Sequence, residues 1–114
     1  MSRIRLGVYL DEQGPKLGRG KIRLLEAVRA HGSISAGARA MGMAYRHAWV
    51  LIDELNRTFA EPVVLSTMGG RRGGGARLTA WGEELVERFA EMDRIVSASV
   101  ESHLQALDAH LARP

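Results

Sequence analysis

Between Val64 and Leu78 the chain carries the run Met68-Gly69-Gly70-Arg71-Arg72-Gly73-Gly74-Gly75, in which five of the last seven residues are glycine. Neither a helix nor a strand interior absorbs such a run, because glycine gives up more backbone freedom on ordering than any other residue. The run has to be a loop, and the short apolar stretches beside it, Pro62-Val63-Val64-Leu65 and Ala76-Arg77-Leu78, read as the two strands it joins. It is not a nucleotide loop of the Walker kind, since no Gly-Lys-Ser/Thr follows, and it lacks the Gly-x-Gly-x-x-Gly order of a dinucleotide site.

The residues before this hairpin are periodic in two ways. Ile4, Leu6, Val8 and Leu10 alternate with Arg3, Arg5, Gly7 and Tyr9, the pattern of a half-buried strand, and Asp11 to Pro15 supplies a turn. From about Leu17 to His31, Ile22, Leu24, Leu25 and Val28 mark an amphipathic helix, with Gly32 placed for a left-handed C-cap. Ser33 or Ser35 can cap a short second helix whose Ala36, Gly37, Ala38 and Ala40 allow close approach of a neighbour. Gly42 interrupts it, and a third helix is expected from about Ala44 to Phe59. Tyr45, Ala48, Trp49, Ile52, Leu55 and Phe59 share one stripe of that helix and are expected to be core.

Helix, glycine turn, helix, then strand-loop-strand is the order of a winged helix-turn-helix, so the fold class is mostly α with a small β-sheet. In that arrangement the third helix enters the major groove by its N-terminal residues. Arg46 and His47 would donate to base edges, with Ala44 and Val50 making apolar or shape contacts. Arg71 and Arg72, at the tip of the glycine loop, would hold phosphate or minor groove, and Arg77 and Lys21 are further phosphate candidates. Charge agrees with this division. Residues 1–79 hold thirteen Lys and Arg against six Asp and Glu, a net of +7, whereas residues 80–114 hold three against seven, a net of −4. A polyanion is drawn to the first part and repelled by the second.

After Thr79, a plausible N-cap, Trp81, Leu85, Phe89, Met92, Val96, Val100, Leu104, Leu107 and Leu111 step by three or four, which predicts one long helix. A helix of about 45 Å exceeds what one small domain needs to cover. Packing against a second copy through Phe89, Met92, Val96, Val100, Leu104 and Leu107 is therefore expected, making the partners a homodimer and double-stranded DNA. The spacing is not a strict 3.5 repeat, so an irregular helix pair is expected rather than a long zipper.

Enzymatic and metal chemistry find little purchase. There are no cysteines, His103 and His110 lack a completing ligand, and Asp53-Glu54 suits a solvated or salt-bridging face, so no catalytic residue, metal or cofactor is expected. The charged start, Met1 to Gly7, does not suit a signal peptide, and no apolar run approaches the roughly 20 residues of a membrane helix, so a cytoplasmic protein without a membrane partner is expected.

Gly32-Ser33-Ile34-Ser35, then Ala38, Gly42, Tyr45, Ala48-Trp49, Ile52 and Leu55-Asn56, resembles the N-terminal DNA-binding domain of the ModE family of molybdate-responsive regulators. The run Gly69 to Ala76, with Leu78-Thr79 and Gly82, is similar to that family's glycine-rich wing and the start of its next helix. The Gly-Ser-Ile-Ser opening also resembles LysR-type regulators. The resemblance covers about residues 4–100 and implies a dimeric regulator acting near molybdenum-related genes, with the N-terminal strand paired to the wing sheet. Full-length family members sense molybdate through C-terminal oxyanion-binding domains. No such domain is expected within these 114 residues, so a molybdate response by this chain itself is not expected.

The expected organisation is a winged helix-turn-helix over residues 1–78 and a dimerisation helix over 79–114, acting together as a sequence-specific DNA-binding regulator. Two other functions compete with it. One is an interaction module that pairs with a full-length regulator without binding an operator alone, and the other is an oxyanion nest in the glycine loop.

Overall fold

The computed structural model describes residues 1–67 and 74–113. The chain begins with a hairpin in which β1 (Gly7–Tyr9) pairs antiparallel with β2 (Lys16–Gly18), Val8 facing Leu17. Its turn closes through the Leu10 amide on the Pro15 carbonyl at 3.1 Å. It requires Gly14, where a Cβ would stand 1.7 Å from the Leu10 carbonyl oxygen. Two expectations are corrected here. The N-terminal strand pairs with this local partner and not with the wing, which forms a separate two-stranded sheet. Leu17, expected to open a helix, is a strand residue, 2% exposed, and the helix starts only after the extended Gly18.

α1 (Arg19–His31) buries Ile22, Leu24, Leu25 and Val28 and ends at Gly32, whose φ of 80° is the left-handed conformation the sequence predicts. α2 (Ile34–Ala40) is capped by Ser33, which accepts from the Ala36 amide at 3.0 Å. It packs closely on α1: a Cβ on Gly37 would stand 3.0 Å from the Val28 nitrogen. Gly42, at φ 65°, turns the chain into α3 (Tyr45–Thr58), which sends Ala48, Ile52 and Leu55 into the core.

β3 (Val64–Ser66) and β4 (Ala76–Leu78) form the stem of the wing, with Val64 opposite Leu78 and both buried. Asn56 fastens α3 to it: its Oδ1 accepts from the Val63 and Val64 amides at 2.8 and 3.1 Å, and its Nδ2 donates to the Val64 carbonyl at 3.1 Å. On the other side the Ala76 amide donates to the Gly32 carbonyl at 2.8 Å, tying the wing to the turn between α1 and α2.

Thr79 leads into α4 (Ala80–Ser99). Its hydroxyl accepts from the Gly82 amide at 2.9 Å and donates to the Pro62 carbonyl at 2.7 Å. Leu85, Val86 and Phe89 of α4 complete the core with Leu17, Ile22, Leu24, Leu25 and Val28. The single long helix expected after Thr79 is two, because α5 (Glu101–Ala109) follows a break at Val100 (φ −108°, ψ 4°). The Ser99 hydroxyl takes the Val96 carbonyl at 2.9 Å, while the Val100 amide reaches that carbonyl only at 3.3 Å. A serine hydroxyl competing for a backbone acceptor is a local alternative to continuing the helix. Among the described residues, no helix is long and apolar enough to cross a membrane.

Candidate nucleic-acid interface

At about 100° per residue, α3 divides into four sides. Ala48, Ile52 and Leu55 set the core side. Arg46 and Val50 stand opposite, directed straight out, and both are exposed. His47, also exposed, lies toward the flank where Glu54 meets Lys21. Tyr45 and Trp49 lie on the remaining flank, above Asn56 and toward the wing. Ala44, extended and exposed, is the N-cap of the helix.

The aromatic pair corrects the sequence reading. Tyr45 is 55% exposed and Trp49 48%, so neither is core. Their spacing from Ile52 and Phe59 suggested a single apolar stripe, but the wing stem draws Asn56 to that flank, leaving the turns above it open beside the stem. The two rings line a groove of about 420 Å³ with Ser33, Ile34, Ser35, Ser66, Thr67, Gly74, Gly75 and Ala76. Periodicity alone could not separate a core stripe from one that faces a groove.

The cationic candidates divide as well. Lys21 is held by Glu54 at 2.5 Å and by the Lys16 carbonyl at 2.8 Å, with its side chain only 16% exposed. It clamps α1 to α3 and is not a free phosphate contact. Arg77 is exposed on β4 next to buried Leu78, so strand alternation puts it on the opposite face of the wing from Leu78 and Ala76. Arg71 and Arg72 lie outside the described residues. Lower on α3, Asp53 is neutralised by Arg57 at 3.0 Å. Among the described residues Arg39, Arg46 and Arg77 take no carboxylate partner. The outward cationic surface of α3 is therefore its first two turns, where the helix N-terminus also favours an anion.

Residues 20–83 match the family described as bacterial regulatory helix-turn-helix protein, lysR family. The chain belongs to this lysR family. Three curated relatives are similar to this lysR-family chain. It is 37% identical over 102 residues to the molybdenum-pterin-binding protein MopB of Rhodobacter capsulatus, covering 90% of this chain and 38% of that one. The molybdenum transport protein ModE of Azotobacter vinelandii is 39% identical over 80 residues, 70% of this chain and 30% of that protein. The DNA-binding transcriptional dual regulator ModE of Escherichia coli is 39% identical over 69 residues, 60% of this chain and 26% of that protein. The chain thus spans well under half the length of these relatives. Among solved structures, a mutant of S. aureus MepR superposes with a TM-score of 0.56 at 19% identity, over 85% of this chain and 67% of that one, a likeness of fold. Another MepR mutant, bound to an oligodeoxyribonucleotide, gives a TM-score of 0.55 at 18% identity, with the same coverage.

The residues expected to pair two copies separate in the same way. Phe89 is 3% exposed, taken up by the core of its own chain, and so offers no outward surface. Met92 is 37% and Leu107 61% exposed, while Val96, Val100 and Leu104 are half-buried. Ile95, 51% exposed, adds to this surface and was missed because it falls outside the step pattern that begins at Trp81.

Proposed function

We propose that this lysR-family chain is the duplex-reading part of a homodimeric transcriptional regulator of molybdenum-related genes. The observation that carries the reading is the N-terminal half of α3: Arg46 and Val50 point outward, Arg46 with no carboxylate partner among the described residues, while the acids farther along that helix are occupied by Arg57 and Lys21. Arg46 is the base reader, placed for the paired acceptors of guanine, and His47 reads a neighbouring edge. Ala44 and Val50 supply apolar and shape contacts. Arg71, Arg72 and Arg77 contribute phosphate contacts from the wing.

Residues 1–78 form the reading unit, and 79–114 carry the pairing surface. Met92, Ile95, Val96, Val100, Leu104 and Leu107 meet their copies in the dimer, setting two α3 helices on half-sites of one operator. The names of the relatives support the molybdenum connection.

Selection of bound fragments from the genome of the source organism tests the reading. Enriched fragments are expected beside genes for molybdenum uptake or for the molybdenum cofactor, with a two-fold symmetric element. Sedimentation should give a dimer, and Ile95→Asp should yield a monomer. Retention of no DNA at low salt overturns the proposal, and random enrichment overturns its molybdenum part.

A further inference from the structure

Among the described residues, Tyr45 and Trp49 have no partner that explains their exposure. Each is a large ring about half open to solvent on a flank of α3, one turn and about 6 Å apart along the helix axis. Their surroundings are specific. Buried Ile34, 8% exposed, and Ala76 are apolar neighbours in the groove, and the Ser33, Ser35, Ser66 and Thr67 hydroxyls line it too. No acidic side chain is among the lining residues. Thr67 is engaged with Gly75, donating to its carbonyl at 3.3 Å and accepting from its amide at 3.0 Å. Ser33 accepts from the Ala36 amide and keeps its own proton to donate. Ser35 and Ser66 are exposed, and their hydroxyls have no hydrogen-bond partner among the described residues.

We propose that one strand of the bound duplex passes through this groove, with Tyr45 and Trp49 packed on neighbouring deoxyribose rings and the serine hydroxyls donating to the phosphates between them. The inference rests on the duplex reading above and adds to it a site that Arg46 does not make. A sugar-phosphate strand alternates apolar C–H faces with anionic oxygens, and this groove sets two aromatic side chains beside hydroxyl donors. Charge favours the same occupant: Arg46, which follows Tyr45 in α3 and has no carboxylate partner among the described residues, lies in the part of the chain that carries +7. A second copy of the chain is a poorer fit, since the long exposed apolar surface lies on α4 and α5. Contacts to sugars and phosphates fix register without reading sequence, so this groove positions α3 for the bases that Arg46 reads.

The chain has two tryptophans, which makes the proposal measurable. Trp81→Phe leaves Trp49 as the sole tryptophan, excited selectively over tyrosine, and Trp49→Phe leaves Trp81. The probe is a duplex library with a randomised core, compared with its separated strands at low salt. Duplex is expected to quench Trp49 and to shield it from acrylamide, leaving Trp81 unchanged. Trp49→Ala should weaken duplex binding about tenfold with an unchanged melting temperature, whereas Trp49→Phe retains most of it. Binding that leaves Trp49 open to acrylamide and Trp49→Ala as tight as wild type overturns the groove and spares the duplex reading. Tighter binding of single strands, with stronger quenching, also overturns it, because the rings would then be stacking on bases. Failure to bind any DNA overturns both.

Discussion

Replacing Asn56 by alanine should unfasten the wing from α3, at a cost that follows from three hydrogen bonds. Oδ1 accepts from the amides of Val63 and Val64 at 2.8 and 3.1 Å, and Nδ2 donates to the Val64 carbonyl at 3.1 Å. Both valines are buried, at 0% and 3% exposure, so their amides do not recover full hydration when the side chain is removed. A typical bond contributes about 1 kcal/mol net, and a buried donor left unpaired costs about 1–3 kcal/mol. Asn56 is itself half-buried, which lets water reach part of the vacated space. The expected loss is therefore about 3 kcal/mol, a large share of the roughly 5–15 kcal/mol that holds a small domain together. Urea denaturation followed by far-UV circular dichroism measures it. Asn56→Asp keeps an oxygen for both amides and loses only the donor to Val64, so about 1 kcal/mol is expected. A loss below about 1 kcal/mol for Asn56→Ala, or equal losses for the two variants, would refute the assignment of this side chain as the clasp between helix and wing.

Three further outcomes follow from the packing. A Cβ on Gly82 would stand 2.2 Å from the Val63 carbonyl oxygen, so Gly82→Ala should lower unfolding free energy by at least ~2 kcal/mol, and an unchanged thermal midpoint would contradict that contact. Trp81 packs edge-on against Phe59 at 5.2 Å while its Nε1 is buried without a partner, so Trp81→Phe should stay within ~1 kcal/mol of wild type in the same denaturation assay. The Ser2 hydroxyl beside it, the Ser2 amide donating to its two oxygens at 2.9 and 3.0 Å, and the N-terminal ammonium hold the Asp108 carboxyl below the ordinary carboxylate value. A depressed folded pKa means this clasp contributes fully above the ordinary value and is lost as pH falls through the lowered one. A carboxyl titration by NMR should place the Asp108 midpoint below that of a free aspartate, with the Ser2 amide shifting in step. A midpoint at or above the free value would contradict it.

Much of this architecture is written in short-range signals. Gly32, Gly42 and Ser33 adopt the cap and turn conformations their types favour, because those conformations depend on the residue itself. What the sequence concealed depended on tertiary partners. Leu17 joins a strand because β1 is there to pair with it, and Phe89 is consumed by the core beneath α4 although its spacing continues the outer stripe. Lys21 looks like any basic residue until Glu54 is seen beside it. Tyr45 and Trp49 share a helical period with true core residues, and only the placement of the wing stem turns them toward a groove. Ser99 competes for the Val96 carbonyl where α4 gives way to α5, through one hydroxyl that hydropathy spacing does not register.

The central claim is that the first two turns of α3 read base edges of duplex DNA, and Arg46 tests it most directly. The measurement is the affinity for a selected fragment divided by that for a mixed-sequence duplex, at one fixed salt concentration, for wild type and Arg46→Ala. Loss of a paired contact to guanine is worth about 1–3 kcal/mol of discrimination, so the ratio should fall roughly tenfold or more while the thermal midpoint holds. A ratio unchanged by Arg46→Ala would contradict the claim.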